Sequence, residues 1–269
     1  GCAATHGQKA FKLMILRPLD PIPAGSTDFL PAWSVVEQSQ RQIADGCWMI
    51  TQPSHAALAG EFSARMTGGD LPALDAPVIR AIALHDAGWG MPDAQAIMQS
   101  RSIGQGAPRS FVACGVGEFV DAWEKSIDIA ASASATGGYI VSRHFERIAK
   151  VNSSRLPEGA RHIAEGFLQN EAARQARLAA KQERTPEELE TLTDVLQFCD
   201  LLSLYVCCGA LQNVEFPEYF GIKARLTVEA DSYRLDPILI EPGTEFVVAA
   251  LRHPATKDAS GKEIEIKIF

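Results

Sequence analysis

The sequence predicts an α+β protein, with a multi-helical core and a small, mainly antiparallel sheet built from both chain ends. Apolar residues recur at helical spacing through most of residues 53–212. Residues 223–269 change to strand patterns, and Glu263 to Ile268 alternates with its isoleucines on one face. Another strand candidate, Leu13 to Arg17, lies near the other end. We therefore expect a single domain over residues 1–269.

The elements follow in chain order. Asp45-Gly46 is a favoured hairpin turn and predicts a β-hairpin over residues 33–52. Helical patterns then cover residues 55–66, 75–88, 119–134, 139–151 and 158–182. Thr185 and Glu188 have capping-box spacing and start a helix that reaches about Leu211. These helices form the predicted core.

Three further segments complete the prediction. Gly90 to Gly117 is rich in Gly and Pro, has one short helical patch, and is long enough to indicate a lid. Thr244 to Leu251 is apolar and β-branched, which predicts a strand. Asp258 to Gly261 is the turn between that strand and the last one.

Composition limits the classes of partner. The net charge is −8 and the pI about 5.3, which argues against nucleic acid or an anionic membrane surface as the main partner. A small anionic molecule held in a local positive site remains compatible with this charge. No apolar run approaches the ~18 residues that cross a bilayer. The sequence does not indicate the oligomeric state.

The six cysteines include no CxxC pair, and Cys199, Cys207 and Cys208 share one apolar helix. They are typical of buried free thiols and of a reducing, cytoplasmic location. The chain begins Gly1-Cys2 rather than with Met, which indicates that a leading segment was removed. A lipidated cysteine is the alternative to a cytoplasmic protein.

Five candidate metal ligands lie on helical faces that point into the predicted core. They are His55, the adjacent His85 and Asp86, His144 and Asp200. Burying an ionised carboxylate or an unpaired imidazole costs several kcal/mol unless a partner or a metal compensates it. A shared ion explains all five residues together.

Each of these residues also has a structural interpretation. A lone inward histidine such as His55 or His144 is more often a hydrogen-bonded core residue than a ligand. Asp200 could be a helix cap or part of a buried salt bridge to Arg143 or Arg147. If Asp200 is a ligand instead, we expect desolvation to raise its pKa in the metal-free protein. The joint occurrence of the five residues favours the metal.

Imidazole and carboxylate ligands together suit a divalent transition metal, namely Mn, Fe, Co, Ni or Zn, as one or two ions. They do not suit a calcium cage, which uses oxygen ligands. Such an ion can acidify water and polarise a phosphoryl oxygen. The residues therefore predict metal-assisted hydrolysis as one possible chemistry.

The order of these residues resembles the HD superfamily of helical metal-dependent phosphohydrolases, and within it an uncharacterised family with a small attached sheet. The gaps from His55 to His85 and from Asp86 to Asp200 are 30 and 114 residues. The resemblance covers about residues 47–252. Its motifs are WMITQPSH ending at His55, HDAGW from His85, SRHF from Ser142 and CDLLSL from Cys199.

The resemblance implies that His55, His85, Asp86 and Asp200 bind one metal ion. It places His144 where many members have an extra histidine for a second metal or for the substrate, so Asp86 and His144 are the candidate catalytic residues. Family members usually carry a lysine after the HD pair to contact phosphate. This chain has Trp89 there, and the candidate substrate-binding residues are Trp89, Arg109, Arg143 and Arg147.

Three functions stay open at this point. The first is a metal-dependent hydrolase of a small phosphate ester or nucleotide, with metal-activated water as the nucleophile. The second is a di-iron oxygenase, since some HD proteins use that chemistry and the lysine is missing. The third is a non-catalytic, metal-stabilised ligand-binding domain.

Overall fold

The computed structural model describes residues 13–20, 24, 26–42, 46–68, 71–100, 108–153, 156–230, 232–255 and 261–269. In this part of the chain the α-helices are α1 Ala32–Arg41, α2 Gln52–Ala64, α3 Ala76–Leu84, α4 Gly90–Ser100, α5 Val116–Ala133, α6 Ala135–Ser153, α7 Glu158–Ala179 and α8 Pro186–Cys208. The strands are β1 Leu13–Pro18, β2 Leu30–Pro31, β3 Cys47–Ile50, β4 Arg109–Ser110, β5 Val214–Tyr219, β6 Ile222–Glu229, β7 Ser232–Asp236, β8 Thr244–His253 and β9 Gly261–Ile268. Helices and sheet occur together, so the predicted α+β class is confirmed.

The strands form one sheet in the order β2-β5-β6-β7-β9-β8-β3-β1-β4. Both chain ends contribute to it, because β3 pairs antiparallel with β1 on one side and with β8 on the other. The β8–β9 pair runs antiparallel from Thr244–Ile268 to Leu251–Gly261. Parallel pairings join β1 to β4, β2 to β5 and β7 to β9. The sheet is therefore mixed, and it is larger than the small one expected.

The sheet packs against the helices through a shared apolar core. Ile264, Ile266 and Ile268 are buried on one face, as their alternation predicts. Phe62 of α2 meets Phe246 of β8 edge to face, with 4.7 Å between the ring centroids. Helices and strands contribute to the same buried cluster. The single-domain organisation stays a prediction.

The predicted hairpin over residues 33–52 is wrong, because its first half is helix α1. The helix buries Val35, Val36, Ser39 and Gln40, which have the i, i+1, i+4, i+5 spacing of one helical face. The Gln40 amide also bonds the backbone N–H and C=O of Leu16, at 2.9 and 2.7 Å. This tertiary contact outweighs the local turn signal. Ala44 and Asp45 lie outside the described residues.

The stretch from Gly90 to Gly117 is more regular than expected. It begins with α4, and a 3₁₀ turn at Phe111–Ala113 precedes α5. Residues 101–107 lie outside the described part of the chain, and so do Cys2 and the predicted turn residues Asp258 to Ser260. The lid therefore stays a prediction.

Helix α8 is the central element of the helical layer. Its capping box forms as predicted, with Thr185 N donating to Glu188 Oε2 at 2.8 Å and Glu188 N to Thr185 Oγ1 at 3.2 Å. Among the described helices it is long and apolar enough to cross a membrane, but 78% of its apolar window is buried inside the fold. It ends at Gly209, which adopts a left-handed φ of 68°. Because it is mostly buried, α8 is a core helix of the fold.

Helices α2 and α3 approach closely at Gly60. A Cβ atom on Gly60 would lie 2.5 Å from the Cβ and 2.9 Å from the Cα of Ala83. Because part of this contact is backbone, the helices would have to separate to accept a larger residue. By contrast, a Cβ on Gly166 of α7 would meet no atom within 4 Å.

We expect Gly60→Ala to destabilise the protein by ~1–3 kcal/mol, since overpacking outweighs the better helix propensity of alanine. The matched control, Gly166→Ala, gains that propensity without a clash and is expected to stabilise by ~0.5–1 kcal/mol. Urea denaturation followed by circular dichroism measures both. Equal effects of the two substitutions would contradict the close approach at Gly60.

Candidate metal centre

The structure brings the five predicted ligand residues together from four parts of the helical layer. His55 lies at the end of the first turn of α2, His85 and Asp86 follow the end of α3, His144 lies on α6 and Asp200 on α8. The imidazoles are buried, while the side chains of Asp86 and Asp200 are 12% and 14% exposed. The site is therefore a buried histidine cluster that reaches solvent on its carboxylate side.

Two overlapping triads make up the cluster. One comprises His55, His85 and Asp86, and the other His85, His144 and Asp200, with the candidate ligand atoms of each triad within 4.8 Å of one another. His55 Nε2 lies 2.9 Å from Asp86 Oδ2, and His85 Nε2 lies 3.2 Å from Asp200 Oδ1. Both triads contain His85, which is therefore the centre of the cluster.

A backbone contact determines which nitrogen of His85 carries hydrogen. His85 Nδ1 lies 2.7 Å from the carbonyl oxygen of Ile82. A carbonyl can only accept, so Nδ1 is the donor. In neutral His85 the lone pair is therefore on Nε2, the nitrogen that faces Asp200 and, at 3.9 Å, Asp86.

Ser203 determines the tautomer of His55 in the same way. The Ser203 hydroxyl donates to the Asp200 carbonyl at 2.8 Å, which uses its single hydrogen. Its oxygen lies 3.0 Å from His55 Nδ1 and must accept from it. Neutral His55 therefore also directs the lone pair of Nε2 at a carboxylate, that of Asp86.

In the neutral rings, hydrogen-bond acceptors therefore face each other: Nε2 of His55 faces Asp86, and Nε2 of His85 faces Asp200. Two imidazole lone pairs and two carboxylates repel one another unless a proton or a cation lies between them. In metalloproteins, a hydrogen bond from the distal nitrogen to a carbonyl or hydroxyl is the usual support of a ligating histidine. The donor set therefore fits a divalent cation bound by the Nε2 atoms and the carboxylates.

His144 differs from the other two histidines. Its Nε2 lies 3.7 Å from Asp200 Oδ2, and its buried Nδ1 has no hydrogen-bond partner among the described residues. Burial lowers the pKa of His144 to about 4, so its imidazole is neutral near pH 7. It is available as a further ligand or as a proton acceptor.

The charges of the cluster stabilise one another in the metal-free protein. Burial lowers the pKa of His85, but the charge of Asp86 and the hydrogen bond to Asp200 outweigh it and raise that pKa to about 9. Burial raises the pKa of Asp200, but the hydrogen bond from His85 and the nearby imidazoles lower it to about 2. The expectation of a raised pKa for Asp200 is wrong, because the histidines outweigh desolvation.

The two arginines of α6 do not contact the cluster carboxylates in the described residues. Arg143 pairs with Glu146 and, at 2.8 Å, with Glu190. Arg147 pairs with Glu190 at 2.7 Å and with Asp194 at 2.6 Å. The alternative of a salt bridge from either arginine to Asp200 is therefore not observed. Both guanidinium groups are occupied by carboxylates between α6 and α8.

The other two candidate substrate residues lie apart from the imidazoles. Trp89 is buried and packs edge to face on Phe119, at 5.5 Å between centroids. Arg109 is exposed and donates to the carbonyl of Ala113 at 2.7 Å. The backbone N–H of Trp89 donates to the Asp86 carbonyl at 3.1 Å, but in the described structure no side-chain contact joins Trp89 or Arg109 to the triads. Their role in binding substrate stays a prediction.

Sequence reasoning missed two polar residues near the cluster. Ser203 lies one helical turn after Asp200, and that i, i+3 spacing is the signal that could have revealed it. Asp93 is buried, and its Oδ2 accepts from Gln52 N at the start of α2, at 2.6 Å. Burial, together with the charge of Asp86, raises the pKa of Asp93 to about 8. Its segment was interpreted as mostly irregular, which hid its inward position.

A family model described as "Protein of unknown function (DUF3891)" matches residues 40–242. The matched region contains all five cluster residues and covers more than half of the chain, so the chain belongs to this family. No curated protein and no solved structure matches the sequence.

Metal binding to the metal-free protein at about pH 7.5 is expected to release about one proton. His85 must lose its proton to become a ligand, whereas His144 is already neutral and Asp200 already ionised. Calorimetry with Mn²⁺ in buffers of different ionisation enthalpy measures the release. It should decline as the pH rises through about 9, the pKa of His85. A release that does not depend on pH in this range would contradict the assignment.

Ser203→Ala is expected to weaken metal binding ~10–100-fold, because His55 loses the acceptor that orients its ring. Thr193→Ala is the matched control, since it removes another buried hydroxyl of α8, one that bonds only its own helix, at the Leu189 carbonyl. Competition with a chromogenic chelator measures both affinities. An equal loss in the two variants would show that Ser203 has no specific role at the metal.

Proposed function

We propose that this member of the DUF3891 family binds one divalent transition-metal ion and uses it to hydrolyse a small phosphate ester or nucleotide. The ligands would be His55, His85, Asp86 and Asp200. The observation that carries the proposal is the pair of imidazole lone pairs, fixed by Ile82 and Ser203, that face two carboxylates. A divalent cation satisfies all four groups.

The donor count supports one ion rather than two. His85 offers a single coordinating nitrogen, since its Nδ1 donates to Ile82, and that nitrogen belongs to both triads. Three histidines and two aspartates are few ligands to share between two ions. This disfavours the di-iron oxygenase. Mixed nitrogen and oxygen ligands suit Mn, Fe, Co, Ni or Zn.

The residues around the site have distinct proposed roles. When bound, a divalent ion supplies Lewis-acid chemistry, lowering the pKa of water and polarising a phosphoryl oxygen. Asp86 and Asp200 form the side that is open to solvent, from which a small substrate can approach. Attack of water on phosphorus releases a proton and breaks the ester bond to the leaving alcohol. Asp86 or neutral His144 would accept that proton and return it to the leaving oxygen.

The resemblance to the HD superfamily supports the same chemistry. It rests on the order of His55, the His85-Asp86 pair and Asp200, and these residues lie together in the structure. We also propose that the helical core has the HD-like fold. The proposed function further implies a cytoplasmic location and a small anionic molecule as the partner.

A second candidate, a non-catalytic metal-stabilised ligand-binding domain, is favoured by a separate observation. Arg143 and Arg147, the nearest candidates for holding a phosphate, are already paired with Glu146, Glu190 and Asp194. A phosphohydrolase without a free cation beside its metal would have to rely on the ion alone to hold the phosphate. Turnover distinguishes the two candidates.

Asp200→Asn is expected to reduce the metal content from about one ion per chain to nearly none and to abolish phosphate release. The matched control is Asp194→Asn, which changes a carboxylate of the same helix that pairs with Arg147. Elemental analysis measures the metal, and a panel of aryl phosphates and nucleoside monophosphates with Mn²⁺, Co²⁺ or Zn²⁺ measures release.

Metal near one equivalent without turnover of any phosphate ester would support the non-catalytic candidate. Two equivalents of iron would support the oxygenase. Undiminished metal content in Asp200→Asn would overturn the proposed site. Circular dichroism of both variants ensures that loss of metal is not loss of fold.

A further inference from the structure

A polar cavity lies where α8 ends against the sheet. Its volume is about 130 Å³, and its walls include Arg17 of β1, Trp48 of β3, Lys262 of β9 and Gly209 at the end of α8. Asp200 and Gly209 are nine residues apart, which is ~14 Å along a helix. The cavity is therefore separate from the candidate metal centre.

Arg17 is held rigidly in the wall of this cavity. Its Nη1 donates to the carbonyl of Val206 at 2.7 Å, at the C-terminal end of α8. A Cβ on Gly209 would lie 2.9 Å from the Cγ and Cζ of Arg17, so a larger residue at this left-handed position would displace the arginine side chain. Arg17 also donates to the hydroxyl of Tyr233. A guanidinium has five N–H donors, so the bonds to Val206 and Tyr233 leave up to three for a ligand.

Lys262 and Trp48 form the opposite side. The ammonium of Lys262 lies over the indole of Trp48, 5.7 Å from the ring centroid. In the register of the sheet, Arg17 is paired with Trp48, so both side chains project from the same face. The two cations therefore face one small cavity across an aromatic ring.

The charges around the cavity are unbalanced. Neither Arg17 nor Lys262 forms an ion pair with a carboxylate of the described residues, and no acidic residue of that part lines the cavity. The C-terminus of α8 offsets part of the positive charge, by roughly half an elementary charge. In a protein of net charge −8 such a local excess is unusual. A bound anion would neutralise this local positive charge.

We propose that this cavity, defined by Arg17, Trp48, Gly209 and Lys262, binds a phosphate-sized oxyanion. Arg17 donates its remaining N–H groups, and Lys262 adds a charge-assisted hydrogen bond at the mouth. The volume accommodates one small anion and leaves no room for a nucleotide. The same chemistry fits free inorganic phosphate and the phosphate group of a larger molecule that reaches in from solvent.

The test uses inorganic phosphate and the full-length Asp200→Asn protein after treatment with a chelator, so that the candidate metal centre cannot bind the anion. Phosphate replaces chloride at constant ionic strength while Trp48 emission and calorimetric heat are followed. Saturable binding is expected, with a change in emission that disappears in Trp48→Phe. Lys262→Gln should weaken binding by at least ~10-fold.

Lys223→Gln is the control for overall charge, because that lysine is exposed on β6 and pairs with Glu215. Arg17→Gln is a second test, and circular dichroism monitors it because Arg17 also caps α8. Absence of saturable binding of both inorganic phosphate and a phosphorylated small molecule, or equal weakening by Lys262→Gln and Lys223→Gln, would overturn the proposal. Binding of a phosphorylated small molecule but not of free phosphate would identify the larger source and support it.

Discussion

The structure of the helical layer depends on one electrostatic constraint: two imidazole lone pairs are directed at two carboxylates inside the core. The hydrogen bonds of His55 to Ser203 and of His85 to Ile82 leave no other tautomer for the neutral rings. The metal-free protein must hold a proton there, which is why the pKa of His85 is raised to about 9. A buried cluster of this kind is costly unless a cation is present, and this cost favours a functional role.

Helix packing creates that constraint. Helices α2 and α3 approach closely at Gly60 and Ala83, and the rings of His55 on α2 and His85 after α3 lie 5.2 Å apart between centroids. Helix α8 contributes both Asp200 and Ser203, one turn apart, so a single helix supplies a carboxylate and the group that orients an imidazole. Arg147 and its partners Glu190 and Asp194 join α6 to α8 beside the cluster. These ion pairs join the two helices, and substrate binding by Arg143 and Arg147 stays a prediction.

The cluster residues could be predicted from the sequence because helical periodicity shows which side chains point inward. Five inward titratable groups on four separate helical segments can meet only in the core. Hydrogen bonds between residues far apart in the chain leave no periodic pattern in the sequence, so they could not be predicted. Helix α1, whose Gln40 bonds Leu16, lies where a strand was expected, and the three histidines reverse the expected pKa shift of Asp200. The partners of Arg143 and Arg147 likewise depend on the way α6 meets α8.

The order of the strands also has a consequence for how the protein behaves in a crowded solution. In the described part of the chain, the nine-stranded sheet is bounded by β2 and β4, strands of two residues each. Pro31 in β2 has no N–H to offer a neighbouring chain, and Arg109 places a charge on β4. Long, flat edges invite strand addition and aggregation, whereas short edges that carry proline or charge resist both. The large sheet can therefore support the helices that carry the site without promoting aggregation at its edges.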